Sequence, residues 1–394
     1  MSDDQARALQ IFCARTGADF ALLNEHKPAH YYEIEGVDAN FDGTLSALRL
    51  MAVGRFGNRA WQIFNIMLIA RHLGVRQVWF DDVRDLGEFP GRIEGISFAA
   101  RPPAPRTVPT LGGILFTTNG FETLLKPFDA VFAEETQRLF VAPFFRHFQP
   151  EASPHATTVG PEVLVLQFRG GDIFPEPGVG VGRPYVMPPV AFYLQVAAYA
   201  IAHLGVRRVH LVHEDHANPA LAAVQEALKG RGVEVTSQSK TLNEDVATLL
   251  SATHLAGPFG TFCEGIAMMS TRLRNLFSFR VTESHMYLVR RPYSLLQAVL
   301  QARGVRLFVG TDTAPGYIPP LHWDSSLAQR ALMLSYPEQD ISITEVAAFV
   351  PPPLEPGELA IAASRAETRW FRANRTAPIM SISTAFTHVP YRVR

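Results

Sequence analysis

The chain has 394 residues, of which 47% are hydrophobic and 19% are charged, with 36 Lys or Arg side chains against 37 Asp or Glu. A chain of this length forms about two or three domains of ordinary size, whose cores need no disulfide or metal to hold them. The formal net charge of −1, without a long basic run, argues against a surface that binds nucleic acid by releasing counterions.

The two cysteines, Cys13 and Cys263, form neither a C-x-x-C pair nor a zinc-ligand spacing. This usage is typical of a reducing compartment. The first ten residues are acidic and polar and lack the apolar run of a signal peptide. No apolar run approaches the ~20 residues that cross a bilayer. The sequence therefore predicts a cytoplasmic protein without a membrane span, and export as an effector without a cleavable signal is the alternative.

The first motif follows an apolar strand predicted at 46–54 and opens an amphipathic helix that contains Trp61. Glycines there let the backbone approach a ligand, and Asn58 suits the cap of the helix. The free N–H groups of a helix N-terminus favour a phosphate or a sugar hydroxyl. A tight turn with a structural cap is the alternative. The loop consists of Gly54, Arg55, Phe56, Gly57 and Asn58.

Four segments repeat one pattern, in which the end of a helix is followed by glycine and a short Val-rich strand. Glycine just past a helix adopts the left-handed conformation without a Cβ clash, and the β-branched run predicts a strand. The irregular spacing excludes a solenoid and indicates repeated helix-to-strand connections of α/β units. The segments are 72–80, 203–212, 230–237 and 302–310.

These connections, with a second apolar strand at 162–172, predict an α/β protein of two Rossmann-like domains that face a cleft. Ligands are expected at the carboxyl ends of the strands. The turn-rich segment 149–162 favours a boundary there, which gives an N-terminal domain at 1–155 and a C-terminal domain at 156–350. Residues 351–394 are predicted to form a helix and a tail that packs back on the first domain.

The second motif ends the strand at 162–172. An arginine at the carboxyl end of a strand can hold a pyrophosphate through two parallel N–H···O bonds, which lysine cannot reproduce. A structural Arg–Asp pair at a domain edge is the alternative. The motif reads Gln167, Phe168, Arg169, Gly170, Gly171 and Asp172.

The third motif ends a strand with His213, Glu214, Asp215 and His216. Histidines and carboxylates are common metal ligands. Adjacent residues of a strand point to opposite faces, however, so a turn with one ligand-facing carboxylate is favoured over a metal site. The sequence also lacks a D-x-D triplet, the acidic pair that metal-dependent sugar transfer commonly needs.

The fourth motif lies within 242–269, where a helix leads through a short strand to a Gly-Pro-Phe-Gly turn and a second helix. Thr261 as N-cap with Glu264 three residues later predicts a capping box. The exposed N–H groups beside Gly260 would also favour a phosphate. Both roles are compatible.

Taken in order, the four motifs resemble those of the inverting fucosyltransferases that use GDP-fucose, the superfamily of α1,2-, α1,6- and protein O-fucosyltransferases. The resemblance covers about 50–280 and implies a GT-B-like glycosyltransferase fold. The segment 167–172 resembles the H-x-R-x-x-D motif of that superfamily, and 244–262 resembles its acidic helix and Ser/Thr-Phe turn. Two residues depart from the superfamily's motifs. Gln167 stands for the usual histidine of H-x-R-x-x-D, and Arg59 stands for the usual glutamine of the N-terminal G-x-x-G-N-Q loop, which the first motif resembles.

The resemblance implies that Arg169 binds the donor β-phosphate and that Asp245 accepts hydrogen bonds from guanine N1 and N2. Arg169 and Asn58 are the implied catalytic residues, with Asn58 at the reacting end of the cleft. The implied donor-binding residues are Gly54, Arg55, Phe56, Gly57, Gln167, Asp172, Glu214, Asp215, Asp245, Gly260, Thr261 and Phe262.

The predicted function is transfer of fucose from GDP-fucose to a hydroxyl acceptor with inversion, and without a metal or other cofactor. The predicted partners are a sugar nucleotide and a glycan, peptide or small-molecule acceptor. Fixed cations and N–H dipoles can stabilise a departing pyrophosphate. A transferase for another sugar nucleotide and a non-catalytic protein that binds a GDP-sugar are the alternatives. A Rossmann oxidoreductase is disfavoured, since no G-x-G-x-x-G follows a strand.

Overall fold

The computed structural model describes residues 3–16, 32–50, 55–81, 91–100, 108–113, 130–174, 187–258, 260–280, 292–313, 317 and 325–347. The end of the strand predicted at 46–54, Gly54 with it, and the helix and tail predicted at 351–394 lie outside these residues. The described residues divide into two compact units, one within 1–85 and 95–128, the other within 86–94 and 129–350. The predicted domain boundaries stay a prediction.

The first sheet has six strands in the order β1-β6-β2-β3-β5-β4. Strand β2 pairs in parallel with β3 and β6, and β3 pairs in parallel with β5. Strand β1 pairs antiparallel with β6, a pairing that the sequence did not predict. The elements are α1 (Asp3–Thr16), β1 (Tyr32–Glu35), β2 (Ala47–Leu50), α2 (Phe56–Leu73), β3 (Gln77–Phe80), β4 (Arg92–Ile93), β5 (Ile96–Ala100) and β6 (Thr110–Gly113).

Helix α2 differs from its prediction in two respects. It begins at Phe56, so Asn58 lies inside the first turn and is not the cap; the N-cap is Arg55, without a side-chain hydrogen bond to the helix. Most of its length is buried, from Phe56 to Ala70, so it is not amphipathic. The polar residues Arg59, Gln62 and Asn65 are buried together with the apolar ones, as in a helix that a core encloses on all sides.

The second sheet has seven strands in the order β13-β12-β11-β10-β7-β8-β9. All neighbours pair in parallel except β12 with β13, an antiparallel edge that the sequence did not predict. The strands are β7 (Val163–Phe168), β8 (Arg208–His213), β9 (Glu234–Gln238), β10 (His254–Gly257), β11 (Asn275–Arg280), β12 (Arg306–Asp312) and β13 (Ile341–Glu345).

Helices connect these strands in alternation. The helix α3 continues through a π-helical segment at Gln137–Val141 and a last turn at Ala142–Phe144, and short 3₁₀ turns follow at Arg146–Phe148 and Pro150–Ala152. The helices are α3 (Ala130–Thr136), α4 (Val190–His203), α5 (Pro219–Gly230), α6 (Leu242–Ser251), α7 (Thr261–Met269), α8 (Pro292–Ala302) and α9 (Leu327–Ser335).

The strand order of the second sheet reverses between β7 and β10. From β7 the chain proceeds to β8 and β9 on one side, then crosses to β10, β11 and β12 on the other. This is the doubly wound order, in which the loops that follow the two central strands diverge and leave a crevice. The predicted α/β class with two sheets rich in parallel strands is confirmed.

The four repeated segments are confirmed as helix-to-strand connections. Each glycine follows the end of a helix in the left-handed region, with φ between 68° and 77°, and a strand begins two or three residues later. An L side chain there would clash with its own backbone, which explains why glycine recurs. The glycines are Gly74, Gly205, Gly232 and Gly304.

Strand β7 is buried on both faces, as expected for the centre of a parallel sheet. Its residues Leu164, Leu166 and Phe168 belong to the core that includes α4 and α5. Gln167 points to the other face, where it contacts α7. The alternation therefore directs the one polar side chain of β7 toward the helix that begins at the crevice.

Candidate functional site

The carboxyl ends of β7 and β10 bring together the second and fourth motifs. Arg169 directly follows β7, and Gly260 directly precedes α7. An ideal Cβ on Gly260 would lie 3.7 Å from Nη1 of Arg169, so the guanidinium lies beside the first turn of α7. Gly260 has φ +152°, a conformation that L side chains rarely adopt. A half-buried cation thus adjoins a helix N-terminus, and both attract an anion.

The capping box predicted at Thr261 is wrong. The N-cap of α7 is Gly260, without a side-chain cap, and Thr261 is the first helical residue. The motif forms instead at α6, where Thr241 caps the helix and Glu244 accepts a hydrogen bond from the Thr241 N–H at 3.1 Å. Both sites have Thr three residues before Glu, but the second helix starts one residue earlier, after Gly260 with φ +152°.

Asp215 joins the loops that follow β7 and β8. One carboxylate oxygen accepts the N–H of Gly171 at 2.7 Å, and the other accepts the N–H of Ala217 at 2.8 Å. A Cβ on Gly170 would overlap this carboxylate. Asn218 adds a bond from its side-chain nitrogen to the Arg169 carbonyl at 2.9 Å. Asp215 therefore holds the backbone that carries Arg169, a role that leaves its predicted ligand contact untested.

The other residues of the third motif lie around Asp215. The side chain of Glu214 is exposed, and its carboxylate lies near the Gly171 position. Burial lowers the pKa of His213, whose Nδ1 bonds the Asp215 carbonyl at 3.0 Å. Its ring lies 4.8 Å from that of His216. Within the described residues, no group of three or more His, Cys, Asp or Glu could hold a metal ion.

Asp245 lies in the first turn of α6 and is buried. Its Oδ1 accepts from Nε2 of Gln238 at 2.7 Å, and its Oδ2 accepts from the Lys240 N–H at 3.2 Å. Burial raises the pKa of this carboxyl. Oε1 of Gln238 in turn forms a hydrogen bond with Nε2 of His210 at 3.1 Å, so a chain of polar side chains runs from β8 through β9 to α6. The contact of Asp245 with guanine stays a prediction.

The other predicted residues fall into two groups. Thr261 and Phe262 are half-buried in the first turn of α7, close to Gly260. Asp172 lies in a 3₁₀ turn over Gly171–Ile173, and only its backbone is described. In the first unit, Arg55 is exposed, Asn58 is half-buried, and Phe56 and Gly57 are buried at the start of α2. The structure thus brings the second, third and fourth motifs to one sheet edge.

Sequence reasoning missed Cys263 as part of this edge. Its Sγ donates a hydrogen bond to Oε1 of Gln167 at 3.3 Å, and a Cβ on Gly257 would overlap the sulfur. Burial raises the pKa of this thiol well above its usual range. Its position two residues after Thr261, in a helix that starts at the crevice, was the available signal.

No protein-family model matches the chain, and no curated protein matches it in sequence. Among solved structures, it is similar to a dodecameric iron-containing heptosyltransferase, TibC, in complex with ADP-D-β-D-heptose. The identity is 12%, the TM-score is 0.31, and the match covers 84% of this chain and 78% of that one. It is also similar to a family 9 glycosyl transferase from Veillonella parvula, with 8% identity, a TM-score of 0.34, and coverage of 68% and 86%. The α/β class rests on the two sheets themselves. No described helix is long and apolar enough to cross a membrane.

Proposed function

We propose that the chain is a glycosyltransferase that moves the sugar of a nucleoside-diphosphate sugar to a hydroxyl acceptor without a metal ion. The observation that carries this proposal is the placement of Arg169 beside Gly260 and the first turn of α7. This placement falls at the strand-order reversal, where doubly wound sheets bind their ligands.

The chemistry requires stabilisation of negative charge on the departing diphosphate. In the proposed mechanism, the guanidinium of Arg169 donates two parallel hydrogen bonds to the β-phosphate, and the free N–H groups of α7 face the same anion. These donors are fixed before the reaction, because Asp215 and Asn218 hold the loops around Arg169. Removing one such transition-state donor typically lowers kcat by about 10²–10³-fold.

The order of the motifs supports fucose and GDP-fucose as the particular donor. One observation favours the second candidate, another sugar nucleotide. The Asp245 carboxylate accepts from Gln238 and from the Lys240 N–H, so part of its capacity to bind guanine is already used within the chain. We therefore propose a sugar nucleotide as the donor class and GDP-fucose as the first donor to test.

A thermal-shift panel of nucleotides tests the proposal. A ligand present at 100 times its dissociation constant stabilises the folded protein by about 2.7 kcal/mol. We expect GDP and GDP-fucose to raise the Tm, and UDP, ADP and NAD to leave it unchanged. A shift by UDP or ADP as large as that by GDP would select the second candidate. No shift by any nucleoside diphosphate would contradict both.

Turnover separates a transferase from a protein that only binds. We expect GDP release from GDP-fucose, even slowly and without an acceptor, and the same rate in the presence of EDTA. An absolute requirement for added Mg²⁺ or Mn²⁺ would contradict the metal-independent mechanism and direct attention to His213 and His216. Binding without any GDP release would indicate a non-catalytic protein.

A further inference from the structure

Gln167 is an exception in a strand that is otherwise apolar. Strand β7 reads VLVLQF, all six side chains are buried, and Gln167 is only 7% exposed. A buried carboxamide costs free energy unless its oxygen and nitrogen are hydrogen-bonded. The oxygen and the nitrogen of this amide have different surroundings.

The oxygen end is bonded within the chain. The Cys263 thiol donates to Oε1 of Gln167, and Gly257 makes this contact possible, since a Cβ there would overlap the sulfur and lie 3.3 Å from the same oxygen. Burial raises the pKa of the thiol, so the sulfur keeps its proton and remains a donor. A thiol that donates selects the oxygen of the amide rather than its NH₂ group.

The nitrogen end has no such bond. Among the residues that the structure describes, none accepts a hydrogen bond from Nε2 of Gln167. This nitrogen is not one of the fully enclosed side-chain atoms without a partner, so solvent reaches it. This amide lies against Gly257, and the guanidinium of Arg169, two residues further along the chain, lies against Gly260. The two side chains thus approach the same β10–α7 connection, and an NH₂ group there can only donate.

We infer that Nε2 of Gln167 donates to a phosphate oxygen of the bound nucleotide next to Arg169, and that Cys263 is a positioning residue that orients the amide. The inference rests on the proposed function and names one more group that holds its diphosphate. Phosphate oxygens only accept, so an amide presented in this orientation complements them. The opposite orientation would place the carboxamide oxygen against the phosphate.

Variants of Gln167 test the phosphate contact. We expect Gln167→Leu to weaken the binding of GDP by about tenfold or more, the range for a hydrogen bond to a charged group. Gln167→Glu adds a negative charge and should weaken binding further, whereas Gln167→His keeps an N–H donor and should retain more affinity than Gln167→Leu. Titration calorimetry gives each Kd, with circular dichroism as the check of folding.

Inorganic pyrophosphate identifies which part of the nucleotide is bound. If Nε2 donates to phosphate, Gln167→Leu weakens pyrophosphate binding by about the same factor as GDP binding. A loss for GDP alone would assign the amide to the ribose or base and overturn the inference. Parent-like Kd values for both probes would also overturn it, and would leave the proposed function intact. A parent protein that binds none of GDP, UDP, ADP or pyrophosphate would instead contradict the proposed function itself.

Variants of Cys263 test the positioning role. Cys263→Ala removes the donor, frees the amide to rotate and should weaken binding by about threefold, a part of one hydrogen bond. Cys263→Ser restores an O–H donor and should recover most of that loss, which a purely structural role of the sulfur would not produce. Cys13→Ala, at the buried cysteine of α1, is the matched control and should bind as the parent does.

Equal affinities of Cys263→Ala and the parent would overturn the role of Cys263. Equal affinities of Cys263→Ala and Cys263→Ser, both weakened, would attribute the loss to packing and overturn it as well. If Gln167→Leu fails to fold, Gln167→His and the two Cys263 variants decide the matter, because both proposals predict a ranked series of affinities rather than a single loss.

Discussion

Two arginines lie in or directly after apolar strands of the two sheets, and their surroundings differ. Arg49 in β2 is 3% exposed and pairs with Asp81 through Nε at 2.7 Å and with Glu35 through Nη1 at 2.5 Å. Arg169 after β7 is half-buried and lies beside Gly260 and the start of α7. In the first sheet two carboxylates bind the cation, and in the second the cation lies beside the first turn of a helix.

The difference indicates what each cation does. Two carboxylates compensate the charge of Arg49, so the pair network holds β1, β2 and the end of β3 together. Helix N–H groups carry partial positive charge, as the guanidinium of Arg169 does, so the two features together favour an anion at the start of α7. The same residue type is therefore structural inside a strand of one sheet and proposed to bind a ligand just after a strand of the other.

The largest effect is expected from Arg49→Met. Removing the cation leaves two carboxylates without their partner, and the cost of breaking a buried pair is about 3–5 kcal/mol. Since Glu35 and Asp81 are each 21% exposed, we expect the lower end, a fall in unfolding free energy of about 3 kcal/mol. Denaturant titration measures it. Arg15→Met, which breaks the exposed pair with Asp42, is the control and should cause no resolvable change.

Arg169→Lys tests the arginine that is proposed to bind a ligand. A point-like ammonium cannot keep both bonds of the guanidinium fork. We expect kcat for GDP release to fall by about 10²-fold and the Tm to stay within a degree or so of the parent value, because the residue follows the strand rather than forming its core. Intact turnover with a lowered Tm would show that Arg169 is structural, as Arg49 is.

Much of the fold could be predicted from local patterns. The four Gly-containing connections and the buried strand β7 follow from the sequence, because each depends on backbone conformation or on a continuous apolar run within a few residues. The antiparallel edges β1 and β13 were missed, since short edge strands are set by what they pair with. The start of α2 was placed too late, because its cap is Arg55, a residue without capping preference.

The candidate site divides in the same way. The proximity of the second, third and fourth motifs follows from the rule that parallel strands bring their carboxyl ends to one edge. The absence of a capping box at Thr261 could not be predicted, because it depends on where the helix after Gly260 begins. The contacts of Asp245 with Gln238 and of Cys263 with Gln167 join residues that are distant along the chain or on different elements, so no local pattern encodes them.

The smallest effect concerns pH and extends the comparison from cations to histidines. Burial lowers the pKa of His210, His213 and His254, all in the second sheet. A folded-state pKa below the unfolded value of about 6.5 means that the contribution to stability is fully present above that pH and is lost as pH falls through the folded-state pKa. Burial raises the pKa of Asp245, which acts with the opposite sign, and its contribution is lost as pH rises from about 4.

We therefore expect the Tm to fall as the pH is lowered from 7.5 to 5, because the unfolded chain binds protons that the buried imidazole rings do not bind. His210 illustrates the reason. Its Nε2 donates to Oε1 of Gln238 and its Nδ1 accepts from the Thr236 hydroxyl, so the neutral ring satisfies both contacts. His210→Gln keeps a donor toward Gln238 and removes the titration, so its Tm should depend less steeply on pH than that of the parent. Equal slopes for the two proteins, or a parent Tm that does not change over this range, would show that burial at β8 does not set the acid sensitivity.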